Sequence, residues 1–83
     1  MKLTIRYFAS IREALGASEV LEIAAPATVG EVRERLIASS PAHAEHLARG
    51  KALRMALDQE LAEDSAPVRD GSVVAFFPPV TGG

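Results

Sequence analysis

The sequence predicts an α+β domain, one mixed sheet packed on a single main helix with short extra helices, and three observations predict it. Residues 2–9 alternate, with Leu3, Ile5 and Tyr7 on one face, the period of a half-buried strand. Residues 28–39 change to a 3.6-residue period in which Val29, Val32, Leu36 and Ile37 form one apolar stripe. Near its end the chain runs Ser72-Val73-Val74-Ala75-Phe76-Phe77, an apolar stretch entered through Asp70-Gly71 and left through Pro78-Pro79, as expected of a central strand.

Each element has its own local signal. Opposite the apolar face of the first strand stand Lys2, Thr4, Arg6 and Phe8. Ser10-Ile11-Arg12-Glu13 has capping-box spacing and Gly16 supplies a helix stop, predicting a short helix over residues 11–15. Residues 18–23 carry Val20, Leu21 and Ile23, a second strand that Pro26 ends. Thr28-Val29-Gly30-Glu31 repeats the capping box and opens the principal helix, residues 29–39, with Glu31 and Arg35 as a favourably ordered i,i+4 pair. Ser40-Pro41 reads as an N-cap followed by proline at the first helical position, and Gly50 closes that further helix. Residues 53–57 and 60–62 flank Asp58-Gln59 as a small hairpin, and residues 66–71 form a loop.

Strand, strand, helix, strand, short strand, strand is the order of a β-grasp, or ubiquitin-like, sheet gripping a helix on one face. In that arrangement the first and last strands are parallel neighbours mid-sheet. Phe8 and Phe77 then meet on the outward face, while Phe76 points to the core. We divide the chain into a β-grasp domain, residues 1–77, and an extended tail, residues 78–83.

Composition removes several function classes. At 83 residues, 48% hydrophobic and 24% charged, the chain is one small globular domain. A net charge of −2, with seven Arg and two Lys scattered along the chain, offers no basic field for nucleic acid. Cysteine is absent, which excludes disulfides, thiolate nucleophiles and Cys-ligated metal. No apolar run approaches a membrane span and no signal peptide opens the chain, so no membrane partner and a cytoplasmic location are expected. His43 and His46 make at most a two-ligand pair, read as surface histidines, and no metal site is expected. No nucleophile–base pair, phosphate-cradling loop or catalytic carboxylate pair stands out, and the chain is not expected to catalyse a reaction on its own.

The tail is the chemically distinctive stretch. Pro78 and Pro79 cannot continue a sheet ladder and leave it stiffly, whereas Gly82 and Gly83 carry no Cβ and can enter a narrow channel. What such a tip presents is the α-carboxylate of Gly83. Without the preceding residues the two glycines would read equally as a frayed terminus.

With them, Val74-Ala75-Phe76-Phe77-Pro78-Pro79-Val80-Thr81-Gly82-Gly83, Asp70-Gly71 and Phe8-Ala9-x-x-Arg12-Glu13 resemble the small sulfur-carrier subunit of molybdopterin synthase, along essentially the whole chain. The resemblance implies a function in molybdenum cofactor biosynthesis. An activating enzyme uses ATP to adenylylate Gly83, a sulfur-donor protein converts the acyl adenylate to a thiocarboxylate, and the large catalytic subunit receives the tail. There the sulfur passes to cyclic pyranopterin monophosphate, which the large subunit binds; the carrier itself binds no cofactor. Pro78, Pro79, Val80, Thr81 and Gly82 are implied to lie inside partner active sites, and Phe8, Arg12, Leu61 and Phe77 to face a partner.

Other readings stay open at this level. Phe8 is a partner contact or an aromatic folded over the sheet edge, and Arg12 a bridge to a partner acid or a solvated helix arginine. Asp58, Glu60, Glu63 and Asp64 are a solvated rim or a docking patch. The same tail would serve a carrier for thiazole synthesis or tRNA thiolation, a ubiquitin-like protein modifier, or an interaction domain with an inert tail.

Overall fold

In the computed structural model, which describes residues 1–79, strand β1 (Lys2–Tyr7) turns Leu3, Ile5 and Tyr7 inward, all almost fully buried. The alternation of the sequence is thus the alternation of the strand. Helix α1 (Ala9–Leu15) follows at once and brings the chain round to β2 (Ser18–Glu22), which returns antiparallel to β1 with Ile5 opposite Glu19.

The start of α1 departs from expectation. Its N-cap is Phe8, no side chain caps it, and the Ser10 box is not formed. Ser10 already lies inside the helix, because Ala9 adopts φ 55 and reverses the chain two residues earlier than the spacing suggested. A left-handed alanine costs roughly 1–2 kcal/mol. At the other end, Gly16 accepts φ 93 without that penalty and its N–H closes on the Arg12 carbonyl at 2.8 Å.

Helix α2 (Val29–Ile37) has the expected capping box: Thr28 Oγ1 accepts from the Glu31 N–H, and the Glu31 carboxylate accepts from the Thr28 N–H. Val29, Val32 and Leu36 are buried against the sheet. Arg33, four residues after Val29 and three before Leu36, occupies the same stripe and is buried with them. Its guanidinium donates to the carbonyls of Leu47 at 2.7 Å and Ala48 at 2.6 Å. Those carbonyls end α3 (Pro41–Leu47), so a buried cation satisfies a helix end that lacks a glycine cap. α3 starts as expected, with Ser40 at the N-cap and Pro41 next.

β3 (Arg54–Leu57) and β4 (Glu60–Ala62) form the small hairpin, with both turn residues in the left-handed region, Asp58 at φ 49 and Gln59 at φ 74. Positive φ at both central positions matches the twist of the strands that the turn joins. β5 (Val73–Phe77) completes a five-stranded sheet of order β2-β1-β5-β3-β4, parallel to β1 and antiparallel to β3. This is the mixed sheet of the β-grasp. The helices cover one of its faces, and the core between them includes Leu3, Ile5, Tyr7, Val74 and Phe76 from the sheet and Val29, Val32, Leu36 and Leu47 from the helices. Among the described residues, no helix is long and apolar enough to cross a membrane.

Candidate functional site

Among the described residues, no helix lies over the other face of the sheet. β5 shows the contrast residue by residue: Val74 and Phe76 are fully buried, while Val73, Ala75 and Phe77 are only partly so. Parallel pairing of Tyr7 with Phe76 brings the ends of β1 and β5 together, and the residue after each, Phe8 just beyond β1 and Phe77 at the end of β5, projects outward. Phe8 and Phe77 therefore meet edge to face, ring centres 6.5 Å apart and planes at 88°. Phe8 remains 38% exposed, too open for a core side chain. The Arg6 guanidinium stands 5.5 Å from the centre of its ring.

Across the sheet, Ala56 pairs with Ala75 on one side and Leu61 on the other. Ala56 and Ala75 floor an open groove of about 1080 Å³, walled by Phe8 and Phe77 at one side and by Leu61 at another. Leu61 is 70% exposed. Three residues expected at a partner surface, Phe8, Phe77 and Leu61, thus share one concavity. Arg12 does not line it; it is an exposed residue of the last turn of α1. Arg6 does line it and was not singled out in the sequence, although its place on the polar face of the alternating strand, two residues before Phe8, carries that information.

Pro78 and Pro79 follow β5 directly and are partly buried, so the chain leaves the sheet beside the Phe8–Phe77 pair. The expected tail residues Val80, Thr81, Gly82 and Gly83 lie outside the described residues.

The acidic neighbourhood resolves into two kinds of residue. Asp58 braces the hairpin turn against β5, its carboxylate accepting from the Val73 N–H at 2.9 Å while its own N–H donates to the Val73 carbonyl at 2.9 Å. Asp64 holds Arg49 at 2.7 Å. Glu60 and Glu63 are exposed. Among the described residues, no cluster of three metal-ligating side chains occurs.

His43 differs most from its reading as a surface histidine. Its Nε2 lies 2.7 Å from Glu19 Oε2 and its Nδ1 2.7 Å from Ser40 Oγ, while the Tyr7 hydroxyl donates to the same Glu19 oxygen at 2.6 Å. Burial first, then the hydrogen bond to Glu19 and its charge, push the Tyr7 hydroxyl far above the ordinary phenol range, so it acts as a donor throughout. Burial raises the Glu19 carboxyl, but hydrogen bonds from His43 and Tyr7 and the charge of His43 outweigh it and leave the group below its ordinary value. His46, on the same helix, takes no part in these contacts.

The chain belongs to the ThiS family, whose model matches residues 5–83. Within that family it is similar to the molybdopterin synthase sulfur carrier subunit of Escherichia coli (strain K12), at 42% identity over 82 residues, covering 98% of this chain and 99% of that one. The likeness carried by residues 70–83 and 8–13 therefore extends along the full length. Among solved structures, SAMP1 from Haloferax volcanii superposes with a TM-score of 0.84 at 26% identity, each chain covered completely. A chain of the protein–protein complex of subunits 1 and 2 of molybdopterin-converting factor from Helicobacter pylori gives 0.72 at 26% identity, again with complete coverage of both chains. These likenesses agree with a ubiquitin-like sulfur carrier.

Proposed function

We propose that the chain is the sulfur-carrier small subunit of a molybdopterin synthase and that Gly83 carries the sulfur. The observation that supports this reading is the placement of the open groove, with Phe8, Phe77 and Leu61, beside the end of β5 from which Pro78-Pro79-Val80-Thr81-Gly82-Gly83 departs. A large subunit gripping that groove would receive the tail next to its grip. Docking energy from a surface remote from the reacting atom would then be spent on placing it.

The chemistry needs only the terminal carboxylate. The Gly83 carboxylate attacks the α-phosphorus of ATP on an activating enzyme, pyrophosphate leaves, and the acyl carbon becomes electrophilic. The outer sulfur of a donor protein's persulfide adds to that carbon and AMP leaves; a second thiol then attacks the donor's sulfur in the resulting acyl disulfide, forming a disulfide with the donor and releasing the thiocarboxylate. Its soft, ionised sulfur then attacks a carbon of the cyclic pyranopterin monophosphate held by the large subunit, and water cleaves the acyl–sulfur bond so that the carrier departs with Gly83 as a carboxylate, the first of two deliveries that make a dithiolene. Gly82 and Gly83 permit close approach by both enzymes because no Cβ stands in the way.

Incubation with ATP, the activating enzyme and a sulfur source should raise the intact mass by about 16 Da, oxygen exchanged for sulfur at Gly83. Deleting Gly83, or extending the chain beyond it, should abolish the gain and all sulfur transfer while leaving the thermal melt unchanged. An unchanged mass in an assay competent for the Escherichia coli carrier would overturn the reading. The similarity to SAMP1, a small archaeal modifier protein, favours a second reading in which the activated tail is joined to lysines. That outcome would appear as adducts on other proteins that survive thiol treatment.

A further inference from the structure

Beneath the helices, the covered face of the sheet holds a polar chain that neither core packing nor the groove requires. It runs from Ser40 Oγ to His43 Nδ1, from His43 Nε2 to Glu19 Oε2, and from that oxygen to the Tyr7 hydroxyl, tying α3, β2 and β1 together. Ser40 also caps α3 by accepting from the His43 N–H at 3.1 Å. With a proton on Nε2, His43 donates to Glu19 and accepts from the Ser40 hydroxyl. With a second proton on Nδ1 the Ser40 contact reverses and no bond is lost. Glu19 is the member on which the chain depends, because one of its oxygens accepts both from β1 and from α3. The groups acting on it are His43 from α3 and Tyr7 from β1.

The inner end of this chain touches the root of the docking groove. The Tyr7 ring stacks on Phe76, centres 6.2 Å apart with planes at 28°, and meets the His43 ring edge-on at 6.3 Å. Tyr7 and Phe76 are register partners, and the Phe8 N–H donates to the Phe76 carbonyl at 3.2 Å. Phe8 and Phe77 are the next residues in the two segments. One peptide unit in each segment thus separates the inward pair from the outward pair.

We infer that Glu19, His43 and Ser40 are positioning residues for the groove: Glu19 holds Tyr7 against Phe76 and so sets the edge-to-face angle of Phe8 on Phe77 that a large subunit's apolar surface receives. This rests on the docking reading above, and none of the three residues lines the groove.

The test follows the Phe8 and Phe77 ring signals of the full chain by NMR while the pH falls through the Glu19 titration, in the wild type and in Glu19→Gln. Affinity for the large molybdopterin synthase subunit is measured at neutral pH. Wild-type rings should move with Glu19, those of E19Q should stay flat over the same range, and E19Q should bind the subunit roughly fivefold more weakly. Should E19Q fail to fold, the wild-type titration alone decides. Phe8 and Phe77 signals that ignore the titration while Tyr7 follows it overturn the inference, as does wild-type affinity in folded E19Q. A wild-type chain that does not bind the subunit refutes the docking reading instead, and the ring titration still reads the coupling.

Discussion

Two faces of one strand separate stability from recognition. Val74 and Phe76 of β5 are sealed under the helices, whereas Val73, Ala75 and Phe77, their neighbours in the chain, look onto open groove. Both sets are apolar, so hydrophobicity alone does not distinguish them. The distinction comes from what covers each face, and the larger open-face side chains lie at the edges of a concavity, above small alanines. A face meant only for solvent would not need an exposed phenylalanine and leucine, and contiguous exposed apolar surface with a shaped groove marks a place where another molecule sits.

The contrast breaks most sharply at Phe76. Phe76→Ala should cost about 4 kcal/mol of folding stability, since it empties a fully buried site beside Tyr7, measured as a shift in the urea midpoint. Little stability loss would mean that the covered face is not the core. On the open face the balance should invert. Phe8→Ala and Phe77→Ala should each weaken binding to the large subunit by about 2 kcal/mol while lowering stability by no more than about 1 kcal/mol, by calorimetry and denaturation in parallel.

Glu19→Gln tests the covered face through pH. Because the folded carboxyl lies below its ordinary value of 4.5, it contributes stability above the unfolded value and loses it as the pH falls through the folded one. The variant should therefore be less stable by about 1 kcal/mol near neutrality, a figure reduced for solvent reaching this half-open carboxylate. The gap between the thermal melts of the two proteins should start to narrow as the pH falls past 4.5 and should close only below the lower value at which the folded carboxyl takes up its proton. A constant gap down to low pH would show that packing, not charge, is responsible.

The smallest effect is expected at the junction leading out of Phe8. Ala9→Gly removes the penalty of φ 55 but adds glycine's backbone entropy, leaving a net gain within about 1 kcal/mol. A clear loss of stability would mean that the Ala9 methyl is packed rather than merely tolerated.

Much of this architecture is legible in the sequence because local and global signals agree. Leu3, Ile5 and Tyr7 alternate as they are buried, Thr28 and Glu31 cap the first turn of α2, and Asp58-Gln59 turns where a hairpin must. The terminal apolar run also lies mid-sheet, which puts Phe8 beside Phe77. What escapes is set by register or by distant partners. Glu19 faces the helices only because β2 pairs it with Ile5, and in a strand whose Val20 is exposed the pattern does not reveal which face is which. Arg33 breaks an apolar stripe because its acceptors are carbonyls of another helix. Ser10-x-x-Glu13 has the letters of a cap, but a reversal at Ala9 moved the helix start ahead of it.

The position of β5 also bears on how the chain is made. Thr4 pairs with Val73, so the strand that joins the β1–β2 half of the sheet to the β3–β4 half is the last of the five to leave the ribosome. Until it arrives the sheet is two separate pairs with open edges, and closing it requires a contact spanning nearly the whole chain, a slow kind of pairing. The segment that closes the sheet is also the one that leads into the tail. A chain released before it is made lacks both a finished groove and the residues that the groove would hold out to a partner.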